Sequence, residues 1–378
     1  MVVGHQAPTN TSGSNGRHRD ASAGRGRPRV NAAAHSSSPA GNSVYRHANT
    51  AVLAVSAVEA PQVVTSDAFD ERLGRTLTRL GLRPGLLQGL AGIHQRRWFD
   101  EGTTYVDAAA TAGAKALAEA GVDPSRVGLM INSSVSRAYL EPSSAVAIHH
   151  QLGLPTSCMN FDLANACLGF VNAMHVAATM IDAGHIEYAL VVDGEDARYT
   201  QETTLARLER DSTTAADLFR EFATLTLGSG AAGMVLGPAD RHPGAHRLVG
   251  GVARSATEHH DLCVGDLQHM RTDTKGLMDA GLDLAEAAWS EARDPHGWGA
   301  MDCYVIHQVS SVHTSSLCAR LGIDPARVPL TFPTLGNVGP ASVPITLAQQ
   351  AGSLDSGDRV LCMGIGSGLN TSFTEIRW

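Results

Sequence analysis

Between residues 127 and 193 short apolar runs alternate with segments whose apolar residues recur at helical spacing. Val127–Ser133 and Ser157–Leu163 read as buried strands, Ser144–Leu152 and Cys167–Ala183 as helices, and Tyr188–Asp193 as a further strand. The helix after Cys167 carries Phe170, Met174, Ala177, Ala178 and Ile181 at helical spacing. The same order returns later, in Asp302–Ile306, Ser311–Leu321, Val328–Thr331, Asn337–Ala351 and Arg359–Met363. The two stretches share local echoes, such as Gln151-Leu152-Gly153-Leu154-Pro155 against Arg320-Leu321-Gly322-Ile323-Asp324. Apolar strands alternating with helices predict parallel sheets covered on their faces. Two such halves packed together predict an α/β fold layered α/β/α/β/α. Ala51–Val58 alternates like a strand and is expected to open the fold, although after a basic tail it mimics a signal peptide. Leu205–Phe222 and Leu277–Trp289 read as amphipathic helices of the core or a channel wall.

Composition narrows the class. The chain has 378 residues, 43% of them apolar and 17% charged, enough for a large core. No run of 18 apolar residues offers a membrane span. The formal charge of −8 argues against a nucleic-acid partner. That charge is uneven, with Arg17, Arg19, Arg25, Arg27, Arg29 and Arg46 standing against Asp20 in the first 46 residues. Residues 1–43 hold almost no large apolar side chain and are expected to be a disordered basic tail. The N-terminal half is expected over 44–238 and the C-terminal half over 239–378. Six cysteines without a CxxC spacing read as free thiols in a reducing cytoplasm. The adjacent pairs His149-His150 and His259-His260 lack ligand spacing, so no metal is expected. Gly228–Gly233 and Gly364–Gly368 lie where strands end, but neither opens a dinucleotide-binding βαβ unit. They read as turns that let backbone approach a site.

Cys167 stands where a strand gives way to a helix. The position admits two readings, a small core hydrophobe or a nucleophile whose thiolate is favoured by the helix start. His307 follows the strand Cys303–Ile306. Asn337 lies in Gly336-Asn337-Val338-Gly339-Pro340. Cys167 precedes Tyr188 by 21 residues and Asn337 precedes Arg359 by 22, so the two occupy matching places in the repeat. Ligands of such sheets bind beyond the strand carboxyl ends. Three reactive side chains at strand-to-helix junctions of duplicated halves therefore point to one catalytic crevice.

The segments Ala166-Cys167-Leu168-Gly169-Phe170, Val305-Ile306-His307-Gln308, Gly336–Pro344 and Gly92-Ile93-His94-Gln95-Arg96-Arg97 resemble the thiolase superfamily. Within it they are similar to the ketoacyl synthase III-like condensing enzymes, over about residues 50–378. The resemblance implies the five-layered thiolase fold from two duplicated halves, a homodimer, an acyl group carried on Cys167, and no metal or redox cofactor. The closer likeness is to the OleA-type thiolases of olefin biosynthesis, acyltransferases that condense two long-chain fatty acyl-CoAs without decarboxylation to a 2-alkyl-3-ketoacyl product. It turns on Glu141, 26 residues before Cys167. In that group this glutamate enters the partner subunit's site. Joining two plain acyl thioesters requires removal of an α-proton, a task suited to a carboxylate in an apolar channel. The resemblance further implies that His307 and Asn337 hold the enolate oxygen and that the backbone N–H groups of Cys167 and Ser367 form an oxyanion hole. Arg96 and Arg97 are candidates for contact with substrate phosphates. Pro84–Ala91 lacks the Trp and Arg that clamp the CoA adenine in many synthase III enzymes, so the acyl carrier is CoA held otherwise or an acyl carrier protein. A decarboxylating synthase using malonyl thioester and a non-catalytic partner subunit remain as alternative readings.

Overall fold

The structure is a computed structural model that describes residues 41–266 and 269–378. Of the expected tail, residues 1–40 lie outside the described residues. Its last positions belong to the fold: Ser43 opens strand β1 (Ser43–Arg46), and the Asn42 side chain donates to the Ala288 carbonyl at 2.8 Å. The stacking of Tyr45 on His175, 4.6 Å between ring centroids, anchors the strand that follows.

Nine further strands complete one ten-stranded sheet. They are β2 (Thr50–Glu59), β3 (Val127–Asn132), β4 (Met159–Asp162), β5 (Tyr188–Glu195), β6 (Gly230–Pro238), β7 (His246–Ser255), β8 (Cys303–Ile306), β9 (Arg359–Gly366) and β10 (Asn370–Arg377). The order is β8-β9-β10-β7-β2-β6-β5-β3-β4, with β1 added on β7. The duplication is visible in the pairing. Outward from β2, the β2–β6 and β6–β5 pairs are antiparallel, and the β5–β3 and β3–β4 pairs are parallel. Outward from β7, the β7–β10 and β10–β9 pairs are antiparallel and the β9–β8 pair is parallel. Only Ala51 with Arg247 and Val52 with His246 join β2 to β7.

The place matching β4 belongs to Val328–Thr331, expected as a strand. That segment forms no ladder. Pro329 has no N–H to contribute, and the Gln308 side chain substitutes for a neighbouring strand. Its Oε1 accepts the Thr331 N–H at 2.9 Å and its Nε2 donates to the Pro329 carbonyl at 3.2 Å.

Helices α1 (Tyr105–Ala120) and α2 (Ser144–Gln151) cover the outer face of the N-terminal half. Helices α4 (Thr274–His296) and α5 (Ser311–Leu321) cover that of the C-terminal half. Between the halves lie α3 (Gly169–Asp182) and α6 (Ser342–Gln350), each touching strands of both. The result is five layers. The central core joins Phe170, Met174 and Ile181 of α3 to Val191, Val305, Ile345 and Val360. Its position between the two halves of the sheet explains why α3 is apolar around most of its circumference. The expected helix over Leu205–Phe222 is two helices, Arg198–Leu208 and Ala215–Leu225. Thr214 and Asp217 cap the second reciprocally, which breaks the run. Leu277–Trp289 lies within α4. Among the described residues no helix is long and apolar enough to cross a membrane.

One contact ties the halves beside the crevice. The Asn337 N–H donates to the Thr226 carbonyl and the Gly228 N–H to the Asn337 carbonyl, both at 2.9 Å. A Cβ on Gly228 would stand 1.8 Å from the Leu335 carbonyl oxygen. Gly228→Ala is therefore expected to destabilise the fold by about 3 kcal/mol, read as a fall in Tm. An unchanged Tm would contradict this packing.

Candidate active site

The turn between β4 and α3 places Cys167. Ala166 adopts φ 45°, a left-handed conformation unusual for a residue with a side chain. The Leu168 N–H returns to the Asn165 carbonyl and the Gly169 N–H to that of Ala166, so the chain reverses tightly around the sulfur-bearing residue. The helix begins at Gly169, two residues after Cys167. A Cβ on Gly169 would sit 3.0 Å from the Ser133 carbonyl, which presses the helix start against the end of β3.

Segments of the C-terminal half approach this turn. A Cβ on Gly366 would lie 2.9 Å from the Asn165 carbonyl and 3.2 Å from the Leu168 nitrogen, so the β9–β10 turn, with Ser367, lies against the Cys167 segment. His307 follows β8, and its N–H donates to the Met363 carbonyl of β9 at 2.8 Å. Its ring is buried, and its Nδ1 has no hydrogen-bond partner. The His313 Nδ1 is likewise unpartnered, and the two rings help to line an apolar cavity of about 10 Å³, room for a single water. Asn337 accepts the Gly339 N–H on its Oδ1 at 3.0 Å, an Asx turn that leaves its N–H₂ group as the donor available to a ligand. Gly339 in turn stands against Glu195, whose Cγ would be 3.5 Å from a Cβ there.

Glu195, with Asp193 beside it, sets acidic groups near Cys167. Burial pushes the Cys167 thiol up to about 12, and Glu195, Cys263 and Asp193 reinforce the shift, while the residue's own backbone N–H opposes it. Burial pushes His307 down to about 3, helped by His313. The resting pair is therefore a neutral thiol and a neutral imidazole. A neutral imidazole suits a hydrogen-bond donor to a developing oxyanion. Helix-start stabilisation of a thiolate, expected from the sequence, is outweighed in the unliganded chain by burial. Sequence reasoning passed over Asp193, Glu195 and Cys263. Two acids closing an apolar strand were a readable signal for the first pair. Nothing in the sequence pointed from Cys263, on the hairpin Cys263–Gly265 with Met270–Thr272, to Cys167.

Glu141 lies on an exposed loop tip, beside Tyr139 (71% exposed) and Leu140 (91%). Arg96 does not fit its expected role. It is fully buried, its guanidinium donating to Ser66 Oγ at 3.2 Å and the Leu225 carbonyl at 3.1 Å and lying 4.4 Å above the Phe69 ring. Alternation along Gln95–Trp98 turns Arg96 inward and Arg97 outward. Arg97 keeps partial exposure and pairs loosely with Glu59 at 3.9 Å. Leu87–Ala91, in the stretch lacking the adenine clamp, is a single helical turn with Leu87 and Ala91 buried. Among the described residues no cluster of His, Cys, Asp and Glu could hold a metal ion.

Comparison with known proteins agrees with this geometry. Residues 96–227 match the family model of the thiolase N-terminal domain. Residues 296–378 match that of the 3-oxoacyl-[acyl-carrier-protein] synthase III C terminal. The chain is 46% identical to an acyl-CoA:acyl-CoA alkyltransferase of Xanthomonas campestris, over 87% of this chain and 99% of that protein. It is 33% identical to the protein of the same description in Shewanella oneidensis, over 84% and 96%. It superposes on Xanthomonas campestris OleA, in a Cys-to-Ser variant with bound lauric acid and lauroyl-CoA, with a TM-score of 0.86 and 45% identity, covering 88% of this chain and all of that one.

The raised thiol pKa makes a direct prediction. Alkylation of Cys167 by iodoacetamide, followed by mass spectrometry, should accelerate about tenfold per pH unit from pH 7 to 10, because the reactive thiolate is a small and growing fraction. A plateau near pH 8 would contradict a thiol held neutral.

Proposed function

Because the chain belongs to the thiolase superfamily, among the ketoacyl synthase III-like condensing acyltransferases of the OleA type, we propose that it joins two long-chain fatty acyl-CoAs by a non-decarboxylative Claisen condensation. In the first half-reaction the Cys167 sulfur attacks one thioester carbonyl. The tetrahedral oxyanion is held by the Cys167 and Ser367 backbone N–H groups. CoA leaves with the thiol proton, and an acyl-cysteine remains. In the second, a carboxylate removes the α-proton of the other acyl-CoA, and the neutral His307 imidazole and the Asn337 carboxamide donate to the enolate oxygen. The α-carbon attacks the acyl-cysteine carbonyl, the Cys167 sulfur departs, and a 2-alkyl-3-ketoacyl thioester forms. Its hydrolysis would release a β-keto acid.

The observation that carries the choice of reaction is Glu141. A malonyl thioester generates its own carbanion by losing CO₂ and needs no base, whereas plain acyl-CoAs need one. Glu141 is held at an exposed tip flanked by apolar side chains, an arrangement suited to insertion into the site of a second copy. The sheet edge supports that partner. Strand β4 is the free edge of the N-terminal half, and Met159 on it, with Val135, Tyr139, Leu140 and Val146, is exposed. We therefore read the enzyme as a homodimer exchanging Glu141 loops, cytoplasmic, and working on CoA thioesters without a cofactor. Arg97 stays a candidate for phosphate contact. The match to the synthase III model favours one rival, a malonyl-dependent ketosynthase.

Glu141→Gln separates the two. The variant should still form an acyl adduct on Cys167, seen by mass spectrometry, and lose condensation by at least about 100-fold. A variant that condenses at the normal rate would exclude Glu141 as the base. Malonyl-dependent CO₂ release indifferent to Glu141 would favour the rival.

A further inference from the structure

The buried acids at the end of β5 have a role beyond their effect on the thiol. Asp193 and Glu195 are two residues apart on one strand and so share a face. Gly194 faces the other way, where a Cβ would lie 2.1 Å from the Tyr105 carbonyl at the start of α1. The two carboxyl groups therefore point inward, toward the layer that holds Cys167. Both are buried, and they lie near enough for each to influence the other's ionisation, while the Ser133 hydroxyl donates to Asp193 Oδ2 at 2.5 Å. Two buried carboxyls that near each other cannot both ionise. Asp193 keeps the proton: burial and the Glu195 charge push it well above the usual carboxylate range.

Burial pushes Glu195 up to about 7, while hydrogen bonds from Ser136 and Val135 favour its carboxylate form. The Val135 N–H donates to its Oε1 at 2.6 Å, and the Ser136 N–H and hydroxyl donate to its Oε2 at 3.0 and 2.6 Å. Those donors begin the loop that leads to Glu141. The far end of that loop is held separately. Asp162, closing β4, accepts the Ser144 and Ala145 N–H groups at 2.9 Å. The Tyr105 hydroxyl accepts the Ala138 N–H at 3.1 Å and meets Ser144 Oγ at 2.9 Å. Residues 135–138 and 144–145 are thus clamped and the tip between them is displayed.

We propose that Glu195 is a positioning residue for the carbon–carbon bond-forming half-reaction, acting through the loop that begins at Val135 and Ser136 and carries Glu141. The inference rests on Glu141 being the base. It implies an asymmetry that general damage to the fold would not produce. Removing the Glu195 charge takes a negative group away from Cys167, so thiol reactivity should hold or rise while condensation falls.

The experiment measures three quantities on the full chain with tetradecanoyl-CoA: the rate of acyl-adduct formation on Cys167, the rate of condensation per acylated enzyme, and iodoacetamide alkylation at pH 8. For Glu195→Gln the expected result is condensation down about 10- to 100-fold, with acylation and alkylation unchanged or faster. Ser136→Ala, which removes one donor and leaves the charge, should lower condensation less and leave acylation and alkylation unchanged. It carries the test should Glu195→Gln fail to fold. Parallel loss of acylation and condensation, or full condensation in both variants, would overturn the proposal. Glu141→Gln is measured beside them. If it alone loses condensation, only the clamp is refuted. If it condenses normally, the reading of the base falls first.

Discussion

Gly366, closing β9, has no side chain, so the turn of the C-terminal half can lie against the carbonyl of Asn165 and the nitrogen of Leu168 in the N-terminal half. Everything reactive is positioned relative to that meeting point. Cys167 lies between those two residues. His307 is fixed to Met363 in the same strand that delivers Gly366. Asn337 reaches the site through its backbone pairing with Leu227, just before β6. A duplicated fold thus builds a composite site from strand ends that neither half has alone.

The electrostatics of the site favour stored, uncharged groups over ions. A thiol pushed up to about 12 beside a histidine pushed down to about 3 holds no imidazolium–thiolate pair. The same burial that withholds the thiolate keeps the imidazole a neutral donor. It also makes any oxyanion near His307, Asn337 and the helix start interact strongly with them, since a low local dielectric strengthens such bonds. The acidic pair Asp193–Glu195 raises the thiol further while its hydrogen bonds organise the neighbouring loop. One structural demand, placing a carboxylate under that loop, therefore opposes another, ionising the sulfur.

Much of this architecture was legible in the sequence because the two halves repeat one periodicity. Strands such as Tyr188–Glu195 and Arg359–Gly366 are apolar on both faces, and α5 spans the residues the spacing indicated. The failures have specific physical causes. Val328–Thr331 carries a strand-like pattern, but its ladder is replaced by the Gln308 side chain, a long-range substitution no local pattern encodes. Arg96 looked like a surface cation, yet β-strand alternation turns it into the core, where carbonyls, a hydroxyl and an aromatic face receive it. The family motifs singled out Cys167, His307 and Asn337; the structure lays the turn after β9 against the Cys167 segment and ties His307 to that same strand. The sequence reading ended β5 at Asp193 and so lost Glu195. It could not foresee that burial would outweigh the helix start in setting the state of the thiol.

Product stoichiometry with a single substrate decides between condensation and simple hydrolysis. Purified protein given tetradecanoyl-CoA, with no malonyl thioester, should form a C–C-coupled β-keto product and, as that product is hydrolysed to the β-keto acid, release two CoA per product molecule. Release of CoA with only free fatty acid, and no coupled product, would contradict a condensing enzyme and leave a thioesterase in its place.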